Sequence, residues 1–137
     1  MASKNQLTGM TGLYLVAAEL SKKGFIATPT SRSALAADLL VTDTNCQMTF
    51  AVQVKTNART FNFWLVNAKT KEMKSRTLIY AFVNITPKGT EYYLVPSTVV
   101  ASKVRISKPS KTRTSTWYSV YREDIASYRD NWKIFSK

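Results

Sequence analysis

Histidine is absent from this chain, and cysteine occurs once, at Cys46. These absences exclude a serine–histidine triad, a histidine-ligated metal nuclease and an HEXXH protease. One cysteine can form neither an internal disulfide nor a thiolate zinc site. Acid is scarce as well: 8 Asp and Glu stand against 20 Lys and Arg, leaving a formal charge of +12. Polar residues interrupt every apolar run before the ~18 positions of a membrane-spanning helix. The first residues, Met1 to Gln6, lack the apolar stretch of a secretory signal, so an intracellular, cytoplasmic protein is expected.

What remains is a foldable and strongly basic chain. Its 137 residues are 45% hydrophobic and 12% aromatic, enough to bury one core, so a single domain over 1–137 is expected. A domain this basic attracts a polyanion. Nucleic acid is the leading expectation, with duplex or branched DNA ahead of RNA. A ribosome-like structural partner and an anionic membrane surface are the bland alternatives. The latter wants a basic amphipathic helix, and none is evident.

Leu7 to Lys23 reads as a helix, with Met10, Leu13, Val16, Ala17 and Leu20 on one face and Gly24 as its stop. Phe25 to Thr28 is short and apolar and is broken by Pro29; a polar loop through Thr30, Ser31, Arg32 and Ser33 follows, and Leu39–Val41 reads as a strand. Met48 to Thr56 is the clearest strand. Phe50, Val52 and Val54 alternate with Ala51, Gln53 and Lys55, which places the two sets on opposite faces. Further strands are expected at Asn62–Val66, Leu78–Ile85 and Tyr92–Val95, the last two joined at Pro87-Lys88-Gly89. Short helices are expected at Lys69–Lys74 and from Ser97 to Ala101. Lys103 to Thr116 reads as a basic loop, and Tyr121 to Lys137 as a small helix and tail anchored by Tyr128, Trp132 and Phe135. Strands interleaved with helices point to an α/β domain with a mixed central sheet flanked by helices.

Asp38 opens one strand, while Gln53 and Lys55 share a face of the next. A hairpin between those strands would gather the three groups at one end. That set suits phosphodiester hydrolysis: oxygen ligands hold Mg²⁺ or Mn²⁺, and a lysine orients water or offsets growing negative charge. Ala37-Asp38 followed by Val52-Gln53-Val54-Lys55 resembles the motif of the PD-(D/E)XK nuclease superfamily, with Gln53 where an acid is usual. The helix with Gly9 and Gly12, then Gly24-Phe25, then the Asp38 strand, is similar to that superfamily's opening elements. Phe63-Trp64-Leu65-Val66, Tyr80-Ala81-Phe82-Val83-Asn84 and Tyr93-Leu94-Val95-Pro96-Ser97 look like small bacterial members. The resemblance covers about residues 7–101.

The resemblance implies a restriction-endonuclease-like core and a metal-dependent DNA endonuclease. Asp38, Gln53 and the Val54 carbonyl would ligate the metal, and Lys55 would position the attacking water. Such helices often carry Glu after the second glycine; here that position is Leu13. Either Glu19 completes the site from another angle or Asp38 is its only charged ligand. A double-strand break calls for two active sites, which a homodimer would supply.

Each residue also has a bland reading. Asp38 can cap a turn or pair with Arg32, Lys55 can be an ordinary strand-end lysine, and Glu19 can pair with Lys22 and Lys23 one turn on. Trp64, Tyr80 and Phe82 read as core. Two basic stretches are candidate nucleic-acid contacts: Lys69, Lys71 and Lys74, and the acid-free run Lys103, Arg105, Lys108, Lys111 and Arg113 leading to Trp117, Tyr118 and Tyr121. The rival readings are a catalytically inactive nucleic-acid-binding protein on a nuclease-like fold and an RNA-binding accessory protein.

Overall fold

Helix α1 begins where its first turn can be capped. Ser3 Oγ accepts the Gln6 N–H, and the Gln6 side chain accepts the Ser3 N–H at 2.8 Å, so α1 spans Lys4–Lys22 rather than starting at Leu7. Gly24, at φ +91°, takes the left-handed turn that ends it. The computed structural model describes residues 1–31, 37–59 and 61–136. The Arg32 and Ser33 part of the expected polar loop, the Asp38–Arg32 pairing and the final residue of the tail lie outside the described residues.

Strands β1 (Phe25–Pro29), β2 (Leu39–Asp43), β3 (Thr49–Asn57), β5 (Leu78–Thr86) and β6 (Gly89–Pro96) form one mixed sheet in the order β1-β2-β3-β5-β6. β2 and β3 form the expected antiparallel hairpin, and β5 and β6 pair across the Gly89 turn. The central pair, β3 and β5, is parallel, with Lys55 beside Phe82. Both faces of β5 are covered, which explains its unbroken apolar run from Leu78 to Val83.

Alternation along β3 divides the core. Phe50, Val52 and Val54 pack toward α1 with Val16, Leu20 and Val41, joined by Phe135 of the C-terminal segment. Ala51 faces the other side, with Trp64, Tyr80, Phe82 and Val120. That second side is roofed by α2 (Ser97–Lys103) and a three-stranded sheet ordered β4-β8-β7, where β4 is Phe63–Val66, β7 Arg105–Ser107 and β8 Trp117–Tyr121. The Trp64 indole reaches through to donate to the Val83 carbonyl at 2.9 Å.

Strand β7 falls inside the expected basic loop, and β8 follows directly after it, in a stretch for which no element is expected. The chain beyond β8 forms two 3₁₀ helices, Arg122–Tyr128 and Trp132–Phe135, in place of one small helix. The helix expected at Lys69–Lys74 is a 3₁₀ turn at Ala68–Lys71. Short ranges and a high density of Lys, Ser and Thr hide these elements; only their pairing partners reveal them.

Candidate active site

Asp38 stands just before β2, where that strand stops covering β3. Its N–H bonds the Val52 carbonyl at 2.8 Å, and its Oδ2 accepts the Val54 N–H at 2.7 Å. The carboxylate thus replaces the missing β2 neighbour at the edge of β3. In an extended strand a residue's N–H and C=O point toward the same edge, so the Val54 carbonyl also faces this opening.

Lys55 follows Val54 on the opposite face and is half-buried. Burial pushes its ammonium pKa down, and the Asp38 carboxylate opposes that shift. Gln53 shares the Lys55 face and is half-buried; its backbone pairs with β5, and its side chain makes no hydrogen bond among the described residues. Asp38, the Val54 backbone, Lys55 and Gln53 are therefore neighbours around one end of β3.

Two clefts flank this end. The first holds Asp38 and Val54 against Gln6, Met10, Leu13 and Tyr14 of α1. Asp38 is the only acid lining it among the described residues, because α1 presents Leu13 there. The second cleft lies on the other flank of α1 and contains Lys55, Thr56 and Asn57. Helix and strand approach closely between them. A Cβ on Gly12 would overlap Thr56 Oγ1 and stand 2.8 Å from Thr56 Cβ and Cγ2.

Glu19 lines neither cleft. Its carboxylate pairs with Lys22 at 3.3 Å and Lys23 at 3.4 Å, near the C-terminal end of α1. Burial works against its charge, but the two lysines outweigh this and hold its carboxyl below the usual range. Helix length is the reason for the separation: Glu19 is six residues beyond Leu13, and each residue rises about 1.5 Å.

The basic run is divided by its contacts. Arg105 bonds Asp124 at 3.0 Å and Glu123 at 2.9 Å, and stacks over Tyr121 at 4.0 Å. Arg113 donates to Ser107 and to the Lys108 and Ser115 carbonyls, and lies 4.5 Å over Trp117. These arginines organise β7 and β8. Lys103, Lys108 and Lys111 are exposed and form no ion pair among the described residues, as are Lys69, Lys71 and Lys74 around the 3₁₀ turn.

Among the described residues, no three of His, Cys, Asp and Glu gather to hold a metal. The end of β3 offers one carboxylate, one backbone carbonyl and one carboxamide. That all-oxygen set fits a hard cation such as Mg²⁺ or Mn²⁺, which retains several of its waters. No helix among the described residues is long and apolar enough to cross a membrane.

The mixed five-stranded sheet, with α1 packed over its hairpin, makes this a single α/β domain with a restriction-endonuclease-like fold. It is similar to the bacterial homing endonuclease I-Ssp6803I, at 16% identity and a TM-score of 0.61 over 98% of this chain and 91% of that one. It is also similar to Hjc, a Holliday junction resolvase from the archaeal hyperthermophile Archaeoglobus fulgidus. There the identity is 14% and the TM-score 0.54, over 87% of this chain and 88% of that one. No protein-family profile matches the sequence, and no curated protein matches it.

Proposed function

We propose that this protein is a metal-dependent DNA endonuclease that hydrolyses phosphodiester bonds. The observation that carries the reading is the Asp38 carboxylate, docked on the Val54 N–H at 2.7 Å and electrostatically coupled to Lys55. The activities named for the two similar structures, homing endonuclease and Holliday junction resolvase, direct the reading to DNA.

Asp38, the Val54 carbonyl and Gln53 would hold Mg²⁺ or Mn²⁺. The ion would polarise the phosphate and lower the pKa of a bound water. The Val54 N–H holds the Asp38 carboxylate in one orientation. Lys55 places its ammonium beside the phosphate, orients the water and offsets the negative charge that grows on the phosphoryl oxygens. Lys103, Lys108, Lys111, Lys69, Lys71 and Lys74 supply backbone contacts. Glu19, spent on Lys22 and Lys23, has no part in this scheme. A homodimer would place two such sites on one duplex.

The test is incubation with supercoiled and branched DNA, with Mg²⁺, with Mn²⁺ and with chelator. Metal-dependent nicking by the wild type and none by Asp38→Asn is expected. No nicking on any substrate refutes cleavage. The second reading, a binding module without cleavage, draws on Asp38 being the one acid that lines its cleft among the described residues.

A further inference from the structure

The second cleft lies between the start of α1 and the outer face of the β4-β8-β7 sheet. Its exposed walls are unusual for a purely cationic surface. Phe61 is 45% exposed, Trp117 40% and Leu65 51%. Phe61 contacts Phe63 at 5.7 Å, and Phe63 contacts Tyr121 at 5.5 Å, giving a run of rings. Arg113 lies over one face of Trp117, and Trp117 also lines the groove. The ionisable lining is Lys4, Lys55 and Arg59, with no acid among the described residues.

Cation and aromatic demands together narrow the occupant. A phosphate backbone satisfies Lys4, Lys55 and Arg59 but leaves the exposed area of Phe61 and Trp117 uncovered. Duplex DNA keeps its base faces stacked within the helix. Only unpaired nucleotides offer π-faces and phosphates side by side. Lys55 belongs both to this groove and to the neighbourhood of Asp38, so a strand lying here would run directly past the proposed scissile phosphate.

We infer that this groove binds a single-stranded DNA segment, whose bases stack on Phe61 and Trp117 while its phosphates follow Lys4, Lys55 and Arg59. The inference deepens the nuclease reading and rests on it for the role of the strand: the substrate would be DNA with an unpaired stretch beside the cut, such as a flap or branch. Binding itself requires neither metal nor cleavage, so the two ideas fail separately.

The test uses the full chain in chelator. Its intrinsic tryptophan fluorescence and its affinity are measured against an oligothymidylate of about 16 nucleotides, an abasic strand of equal length and charge, and a blunt duplex. The oligothymidylate should quench tryptophan emission and bind at least about five-fold more tightly than the abasic strand, the lower bound for one stacked base. Phe61→Leu with Trp117→Leu should reduce the oligothymidylate to abasic affinity and leave the abasic strand unchanged. If that pair fails to fold, Phe61→Leu alone should narrow the preference. Equal wild-type affinity for the thymidine and abasic strands, or tighter binding of the duplex, would overturn the inference. Loss of binding to both strands in a folded variant would overturn it as well.

Discussion

Gly12→Ala sets two known effects of opposite sign against each other. Replacing a mid-helix glycine by alanine ordinarily stabilises a helix by roughly 1 kcal/mol. Here the new Cβ would overlap Thr56 Oγ1 and sit 2.8 Å from Thr56 Cβ and Cγ2. Ordinary carbon contacts lie near 3.5–4.0 Å, so α1 and β3 must separate by about 1 Å. Overpacking of this kind costs about 1–3 kcal/mol. Thr56 Cβ is bonded directly to the backbone of a strand inside a sheet and cannot swing aside as a side-chain tip can, so the cost prevails. A lower melting temperature, by roughly 3–10 °C, is expected in a circular-dichroism melt. Because Thr56 adjoins Lys55, a shift of about 1 Å should also slow cleavage on the order of 100-fold. Thr56→Ala removes Oγ1 and Cγ2 but keeps Cβ, so it should restore part of the loss, with a coupling of about 1 kcal/mol. Thr56→Val keeps the shape and should not rescue. In the wild-type background it should be neutral or stabilising, because Thr56 Oγ1 is buried without a hydrogen-bond partner. A raised melting temperature for Gly12→Ala, as helix propensity alone requires, would refute the close approach.

Other perturbations separate the roles of the site residues. Asp38→Asn keeps an acceptor for the Val54 N–H and should abolish cleavage without loss of fold or DNA affinity; Asp38→Ala should cost a further ~1–2 kcal/mol in denaturant titration. Lys55→Met should end cleavage yet leave the protein at least as stable at pH 7. Burial lowers the Lys55 pKa, so charging it opposes folding below the folded value, and that penalty vanishes above the unfolded value near ~10.4. The stability gain of the variant should therefore shrink as denaturation is repeated at rising pH; a variant less stable at pH 7 would contradict this. Lys103, Lys108 and Lys111 changed together to Ala should reduce the salt slope of DNA binding by roughly two to three, at ~0.9 per lost phosphate contact, and an unchanged slope would remove them from the interface. Gln53→Glu breaks no hydrogen bond and adds a carboxylate beside Lys55, so half-maximal nicking should need less Mg²⁺; an unchanged or higher requirement would exclude Gln53 as a ligand.

Local pattern was enough for the hairpin. Alternation from Phe50 to Lys55 placed Gln53 and Lys55 together, and the polar turn after Val41 brought Asp38 back to the same end. These relations depend on a two-residue repeat and a short connection, both visible along the chain. The position of Glu19 was not visible in the same way. Its spacing to Lys22 and Lys23 allowed the ion pairs, but only the packed helix shows that Leu13 and Tyr14 line the Asp38 cleft while Glu19 stays outside it.

Composition alone established a basic, histidine-free domain with a core to bury, and alternation established the strand that carries Gln53 and Lys55. Tertiary structure decided which charges are available. Arg105 and Arg113 belong to the same acid-free run as Lys103, Lys108 and Lys111, yet Glu123 and Asp124 claim one and backbone carbonyls the other. It also decided that β4 joins β8 across more than fifty residues, pairing Phe63 with Tyr121 and opening the aromatic groove beside Lys55. A strand's own residues record which side is apolar. They do not record which distant strand will satisfy its edge, because backbone hydrogen bonds are the same for every partner and the choice falls to packing across the whole domain.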